Sequence, residues 1–258
     1  MQECLAAVAL GLLLALSGCS PVPVPVPVPV PAPAPAAQAA DPPRASGDTL
    51  FEQAFQPGFS LRHGGEKVDL EVRTIGRLRS RSGRLVACDP FACERARPFA
   101  QPVPQGEFEL RLALVRFGTE QRVALARLSF LPGPVRRWEP ALVAGEDAAR
   151  GHYGYGVDTG TGAFLDGAAW QAYSQRMRRE PEAFAESLLR EFDRNAAPSR
   201  SWLLFEMEEG GVALFSSGWG DGGYASYWGY DGEGRLAALL TDFQVLQDAA
   251  EAGGDDER

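Results

Sequence analysis

The chain has 258 residues, with 34 acidic against 25 basic side chains and a formal net charge of −9. That balance argues against a nucleic-acid partner, because phosphate binding draws on a basic surface. The middle of the chain is of ordinary globular composition over about two hundred residues, enough for one domain with a real core.

The N-terminus reads MQECLAAVALGLLLALSGCS. Leu5 to Leu16 is too short an apolar run to span a bilayer as a mature helix, and it suits the hydrophobic region of a signal peptide. It ends in Leu16-Ser17-Gly18-Cys19, the pattern of a bacterial lipobox, in which the Cys becomes the lipidated first residue. Residues 1–18 are therefore expected to be a lipoprotein signal peptide, although the n-region has Glu3 and no Lys or Arg. An ordinary secretory signal is the plainer alternative. Several acyl chains on Cys19 would anchor stably, since each buried CH₂ adds about 0.8 kcal/mol. Ser20 after Cys19 resembles lipoproteins sorted to the outer membrane of two-membraned bacteria.

PVPVPVPVPVPAPAPA follows, from Pro21 to Ala36. Proline fixes φ and has no N–H, so this tract predicts polyproline II rather than helix or sheet. At about 3.1 Å per residue it would reach roughly 50 Å. Residues 19–47 thus read as a lipidated Cys and a linker, 48–246 as one globular domain, and 247–258 as an acidic, disordered tail. The basic run from Arg77 to Arg84 reads as a solvated loop or edge strand.

Two cysteines remain in the domain, in Cys88-Asp-Pro-Phe-Ala-Cys93. In an exported chain this spacing suggests a disulfide closing an Asp-Pro turn. Two buried thiols are the alternative. Zinc is disfavoured, with only His63 and His152 elsewhere.

A short helix is placed at Thr49 to Phe55. Strands are placed at Val68 to Leu78 and Arg84 to Cys88, around a Ser-Gly turn. Glu107 to Phe117 alternates, with Phe108, Leu110, Leu112 and Leu114 on one face. It is expected to form a hairpin with Arg122 to Phe130, and Val135 to Val143 reads as another strand. Asp166 can cap a helix carrying Trp170, Tyr173 and Met177 on one face. Pro181 opens a second helix with Phe184, Leu188, Leu189 and Phe192 as its apolar stripe. Strands resume at Trp202 to Met207, Val212 to Ser216, Tyr224 to Tyr230 and Leu236 to Leu246. The pattern predicts an α+β fold: a mainly antiparallel twisted sheet with two helices, about 166–179 and 181–195, packed against it.

Several motifs then stand in a recognisable order: Gly83-Arg-Leu-Val-Ala-Cys-Asp-Pro90, Pro104-Gln-Gly106, Arg137-Trp-Glu139, Tyr155-Gly-Val-Asp-Thr-Gly-Thr-Gly-Ala-Phe-Leu-Asp166, Phe215-Ser-Ser-Gly-Trp-Gly-Asp-Gly222, Tyr227-Trp-Gly-Tyr-Asp231 and Thr241-Asp-Phe243. In this order the chain resembles the bacterial domain-of-unknown-function family DUF 4241, over roughly Val72 to Leu246. The resemblance implies organisation and not an activity.

Asp158-Thr159-Gly160 matches the tripeptide of aspartic proteases, but a single chain would need a second copy and has none. A strand-end turn, with Asp158 bonded to nearby backbone N–H groups, is the better account of so short a motif. If Asp89, Asp158, Asp166, Asp221, Asp231 and Asp242 converged, they could hold Ca²⁺ or Mg²⁺, yet no spacing matches an EF-hand. Asp242 stands among Leu239, Leu240, Phe243 and Val245, so it is expected to need a polar partner. Asp89 and Asp242 read as structural polar residues, and no cofactor or metal is expected. No G-x-S-x-G or P-loop is present. The aromatic stretch divides: Tyr224, Ser226, Trp228 and Tyr230 share one strand face, and Trp219 sits on a glycine-rich loop expected to border a cleft. The candidate binding loop is Asp158, Gly160, Ser217, Trp219, Asp221, Tyr224 and Trp228.

The reading that follows is a membrane-anchored lipoprotein, its domain in the periplasm or at the cell surface. The domain is expected to bind without catalysis, its partner a protein or a wall component; an immunity-type inhibitor is one form of this. The alternative is a carboxylate- or metal-dependent hydrolase using Asp158, Asp221 or Asp242.

Overall fold

A computed structural model of the protein describes residues 47–63, 66–151, 153–197 and 200–246. The expected signal peptide, Cys19, nearly all of the linker, His152 and the acidic tail lie outside the described residues. Among those described, no helix is long and apolar enough to cross a membrane.

The architecture is α+β and antiparallel, as the alternation predicts, but the strands form two sheets. The larger holds β1 (Ser60–His63), β2 (Glu66–Ser80), β4 (Gly106–Phe117), β5 (Glu120–Ser129), β12 (Leu236–Asp242), β11 (Gly222–Tyr230) and β6 (Arg137–Pro140) in that spatial order, with β7 (Tyr155–Val157) also on β11. The smaller has the order β3 (Leu85–Cys88), β8 (Thr161–Asp166), β10 (Gly210–Ser216), β9 (Trp202–Met207). The helices α2 (Gly167–Arg179) and α3 (Pro181–Asp193) cover the far face of the smaller sheet, and α1 (Gly47–Gln53) lies on the far face of the larger one.

Two-sided burial follows from this layering. In β8 every residue is buried. Phe164 meets Phe215 between the sheets, whereas Ala163 and Leu165 join Tyr173, Phe184 and Leu188 under the helices. The sandwich core is completed by Phe215 against Phe243 and Tyr224 against Phe243, at ring-centroid distances of 6.0 and 4.9 Å. Strands buried on both faces lose strict alternation, so neither β8 nor β10 shows a period of two.

Three expectations change. First, Val68–Leu78 and Arg84–Cys88 do not flank a hairpin turn: β2 pairs with β4, and β3 pairs with β8 in the other sheet. The Arg81–Arg84 segment is a crossover between layers. The fully buried Asp166 holds it, its carboxylate accepting from the N–H groups of Arg81 and Ser82 and the Ser82 hydroxyl, each at 2.8 Å. The other carboxylate oxygen caps α2 through the Ala168 and Ala169 N–H groups. Second, Leu189 is 46% exposed, because the buried stripe of α3 is Phe184, Leu188 and Phe192, at intervals of four. Third, two strands are shorter than expected: Val135 to Val143 narrows to Arg137–Pro140, and Leu236 to Leu246 ends at Asp242.

On the outer face of the larger sheet, Arg127 is buried. It pairs with Glu52 of α1 at 3.0 Å and lies against the rings of Phe55 and Trp138. Phe51 packs on Trp138 and Tyr227. The short helix is therefore held by a charge pair inside an aromatic ring set.

Candidate functional site

Three segments meet at one end of the sandwich: the Cys88–Cys93 loop, the Asp158–Gly160 turn and the Ser217–Gly223 loop. Cys88 and Cys93 form a disulfide with Cα atoms 5.7 Å apart. Helix α2 grips that loop: the Trp170 indole N–H donates to the Cys93 carbonyl and the Tyr173 hydroxyl to the Pro90 carbonyl, each at 3.0 Å.

Asp89 projects from this loop and is 2% exposed. Its carboxylate accepts from the N–H groups of Phe91, Asp158 and Thr159 and from the Thr159 hydroxyl, at 2.8–3.0 Å. Each carboxylate oxygen accepts two of these four donors. The turn is bound in its place by a residue far away in sequence.

The turn in turn holds the aromatic loop. Gly160 donates its N–H to Asp221 at 3.2 Å and accepts from the Ser217 N–H at 3.0 Å. Alongside, Gly222, Gly223 and Tyr224 pair with Val157, Gly156 and Tyr155. The Tyr224 hydroxyl donates to the Gly220 carbonyl at 2.8 Å. Gly218 takes φ of 50°, and a Cβ there would lie 2.8 Å from the Phe243 carbonyl, so this position needs glycine. Asp158, Gly160, Ser217, Asp221 and Tyr224 are thus one connected unit.

Trp219 crowns it at 46% exposure. Its ring lies 5.2 Å from the Phe117 ring and 5.2 Å from the Arg122 guanidinium. Trp228 does not join it. It is buried against Phe99 and Phe130, and Tyr224 is buried against Phe243, so these two rings build the core.

A cleft of about 240 Å³ opens on the other side of Asp89, lined by Cys88, Arg95, Arg97, Glu146 and Tyr155 among others. Neither Trp219 nor Asp221 lines it, so the expected cleft and the expected loop are neighbours rather than one place. Arg97 donates to the Ala144 carbonyl, and Glu146 accepts from the Val143 N–H. Sequence reasoning passed over Arg95, Arg97 and Glu146, whose surroundings hold no motif. Burial pushes up the pKa of the Tyr155 hydroxyl, which keeps it protonated.

The remaining aspartates have local partners. Asp242 is 3% exposed and accepts from the Gln244 N–H at 2.8 Å. Asp231 closes the β11–β12 turn with Glu233 and Arg235. The backbone donor of Arg235 does most to hold its pKa below the usual range. Among the described residues, no group of three or more His, Cys, Asp and Glu side chains is placed to hold a metal ion.

The model of the family described as protein of unknown function (DUF4241) matches residues 78–241. The chain belongs to this family. The matched span of the DUF4241 domain runs from the end of β2 through β12 and includes all three loops of the site. No curated protein and no solved structure matches the chain.

Proposed function

We propose that this protein is an exported lipoprotein, anchored through Cys19 and a Pro/Val linker, whose domain binds a partner without catalysis. The observation that carries the binding reading is Trp219: a large aromatic side chain, nearly half exposed, on a loop braced by Asp221, Ser217 and Tyr224. Exposed tryptophan on a pre-ordered support costs little entropy to dock, and Trp is enriched where binding energy concentrates. The aspartates of the site support the same reading, since Asp89 and Asp221 are engaged in holding loops. The Cys88–Cys93 disulfide supports export, because such bonds persist in oxidising compartments. A partner in the envelope, whether a protein such as a toxin to be inhibited or a wall component, fits a domain held off the membrane.

Cell fractionation with and without Cys19→Ser tests the anchor: the substituted chain should leave the membrane fraction, and retention there would refute lipidation. Cross-linking in cells through a photoreactive residue at position 219 tests the loop. A discrete adduct lost on Gly218 or Asp221 substitution is expected, and no adduct from this position would refute it. Loss of a turnover on Asp158→Asn in a folded chain would favour the hydrolase alternative instead.

A further inference from the structure

Beside Trp219 the surface carries a second indole–guanidinium stack. Trp202, at the start of β9, has the guanidiniums of Arg73 and Arg200 at 5.5 and 4.9 Å from its ring. The two stacks are bridged by the β4–β5 hairpin. Arg200 donates through Nε to the Gln121 side chain at 2.6 Å, Gln121 donates to Glu71 at 2.9 Å, and Arg116 lies 3.7 Å from the same Glu71 carboxylate. Phe117 and Arg122 of that hairpin hold Trp219. Four guanidiniums face two carboxylates here, Glu71 and Glu120, on a chain whose net charge is −9. Burial and the like charge of Arg73 push down the pKa of Arg200, so an added carboxylate would relieve repulsion at this point.

We propose that the two stacks form one docking surface for an acidic segment of a partner protein, which places carboxylates on Arg73, Arg116 and Arg200 and an apolar side chain against Trp202 or Trp219. This rests on the reading of Trp219 as a contact residue and adds the partner's chemistry and the surface's extent. Guanidinium is a planar fork that matches carboxylates, and Arg and Trp are the residue types in which interface energy concentrates. A polyanion such as polyphosphate fits less well: Glu71 and Glu120 sit between the cations, and the acidic chain repels dense negative charge at long range.

The test is selection of a displayed random dodecapeptide library on the full chain. Selected peptides are then resynthesised with Asp and Glu replaced by Asn and Gln, and binding is measured against long-chain polyphosphate as competitor. The proposal expects acidic, aromatic-containing peptides, about tenfold weaker binding for Arg73→Gln, Arg200→Gln and the neutral peptides, and a fall in affinity with salt. The exposed Arg116→Gln, which leaves both stacks in place, should also weaken binding, so the outcome does not hang on variants that disturb the fold. Neutral or basic peptides, indifference to the arginines, equal displacement by polyphosphate, or no selected peptide would each overturn it. Binding that needs Trp219 but ignores charge would retain the contact loop and remove the acidic partner. Binding indifferent to Trp219 as well would remove both.

Discussion

Thr159 meets the Asp89 carboxylate twice: its backbone N–H donates to Oδ2 at 3.0 Å and its hydroxyl to Oδ1 at 2.8 Å. Because Asp158 donates to the same Oδ2, one buried carboxylate anchors the turn that carries the candidate loop. Asp89→Asn would set an amide N–H₂ against the Asp158 and Thr159 N–H donors, or against the Phe91 N–H if flipped, where the Thr159 hydroxyl can turn to accept. A loss of about 3 kcal/mol in urea unfolding is expected, against about 1 kcal/mol for Thr159→Val. Reducing the Cys88–Cys93 disulfide should cost about 2 kcal/mol. Combined with Asp89→Asn the effects should fall short of additivity, since both loosen one loop.

Asp166 ties the layers together, and its five donors come from the Arg81–Ser82 crossover and the first turn of α2. Asp166→Ala should cost about 3 kcal/mol or more, as it removes a helix cap and strands buried donors. Gly210→Ala should be destabilising too: its φ is 151°, and a Cβ would lie 2.7 Å from that of Asp166. Thermal unfolding followed by circular dichroism reads both. An Asp166→Ala protein as stable as the parent would refute the role.

Glu52 pairs with Arg127, whose side chain is only 3% exposed. Glu52→Ala leaves that guanidinium without its carboxylate and should cost about 3 kcal/mol. Arg127→Met should cost less, since an apolar side chain suits a site lined by Phe55 and Trp138. Hydrogen exchange in residues 47–55 should rise in Glu52→Ala well before the sheet is affected.

Glu71 is held below the usual carboxylate pKa by the hydrogen bond from Arg73, and further by Gln121. Its folded value lies under its unfolded one, so its contribution is present above the unfolded value and disappears as pH falls through the folded one. The stability difference between the parent chain and Glu71→Gln should therefore shrink on acidification from about pH 6 to about pH 3. Trp202 emission should change over the same range, because Arg73 lies over that ring. A difference that stays constant with pH would refute the assignment.

Much of this was legible in the chain alone. Alternation at Phe108, Leu110, Leu112 and Leu114 marks β4 because a strand's faces repeat every two residues. Asp166 and Pro181 announce the helix starts, since capping chemistry is local. The glycine-rich stretches around Asp158 and Asp221 mark both as loops, but that the two loops meet depends on the fold. The cleft residues Arg95, Arg97 and Glu146 and the stack on Trp202 were not legible, as each depends on segments far apart in sequence.

Sequence by itself determined the antiparallel α+β composition, the starts of α2 and α3 and the β4–β5 hairpin, which rest largely on interactions close in the chain. Only the tertiary structure decided that β2 and β3 part into different sheets, that Asp89 reaches the Asp158–Thr159 turn, and that Trp219 lies on Phe117 rather than in the cleft. A side chain's type sets which partners would satisfy it. Which partner arrives depends on how whole layers pack, and local periodicity carries no record of that.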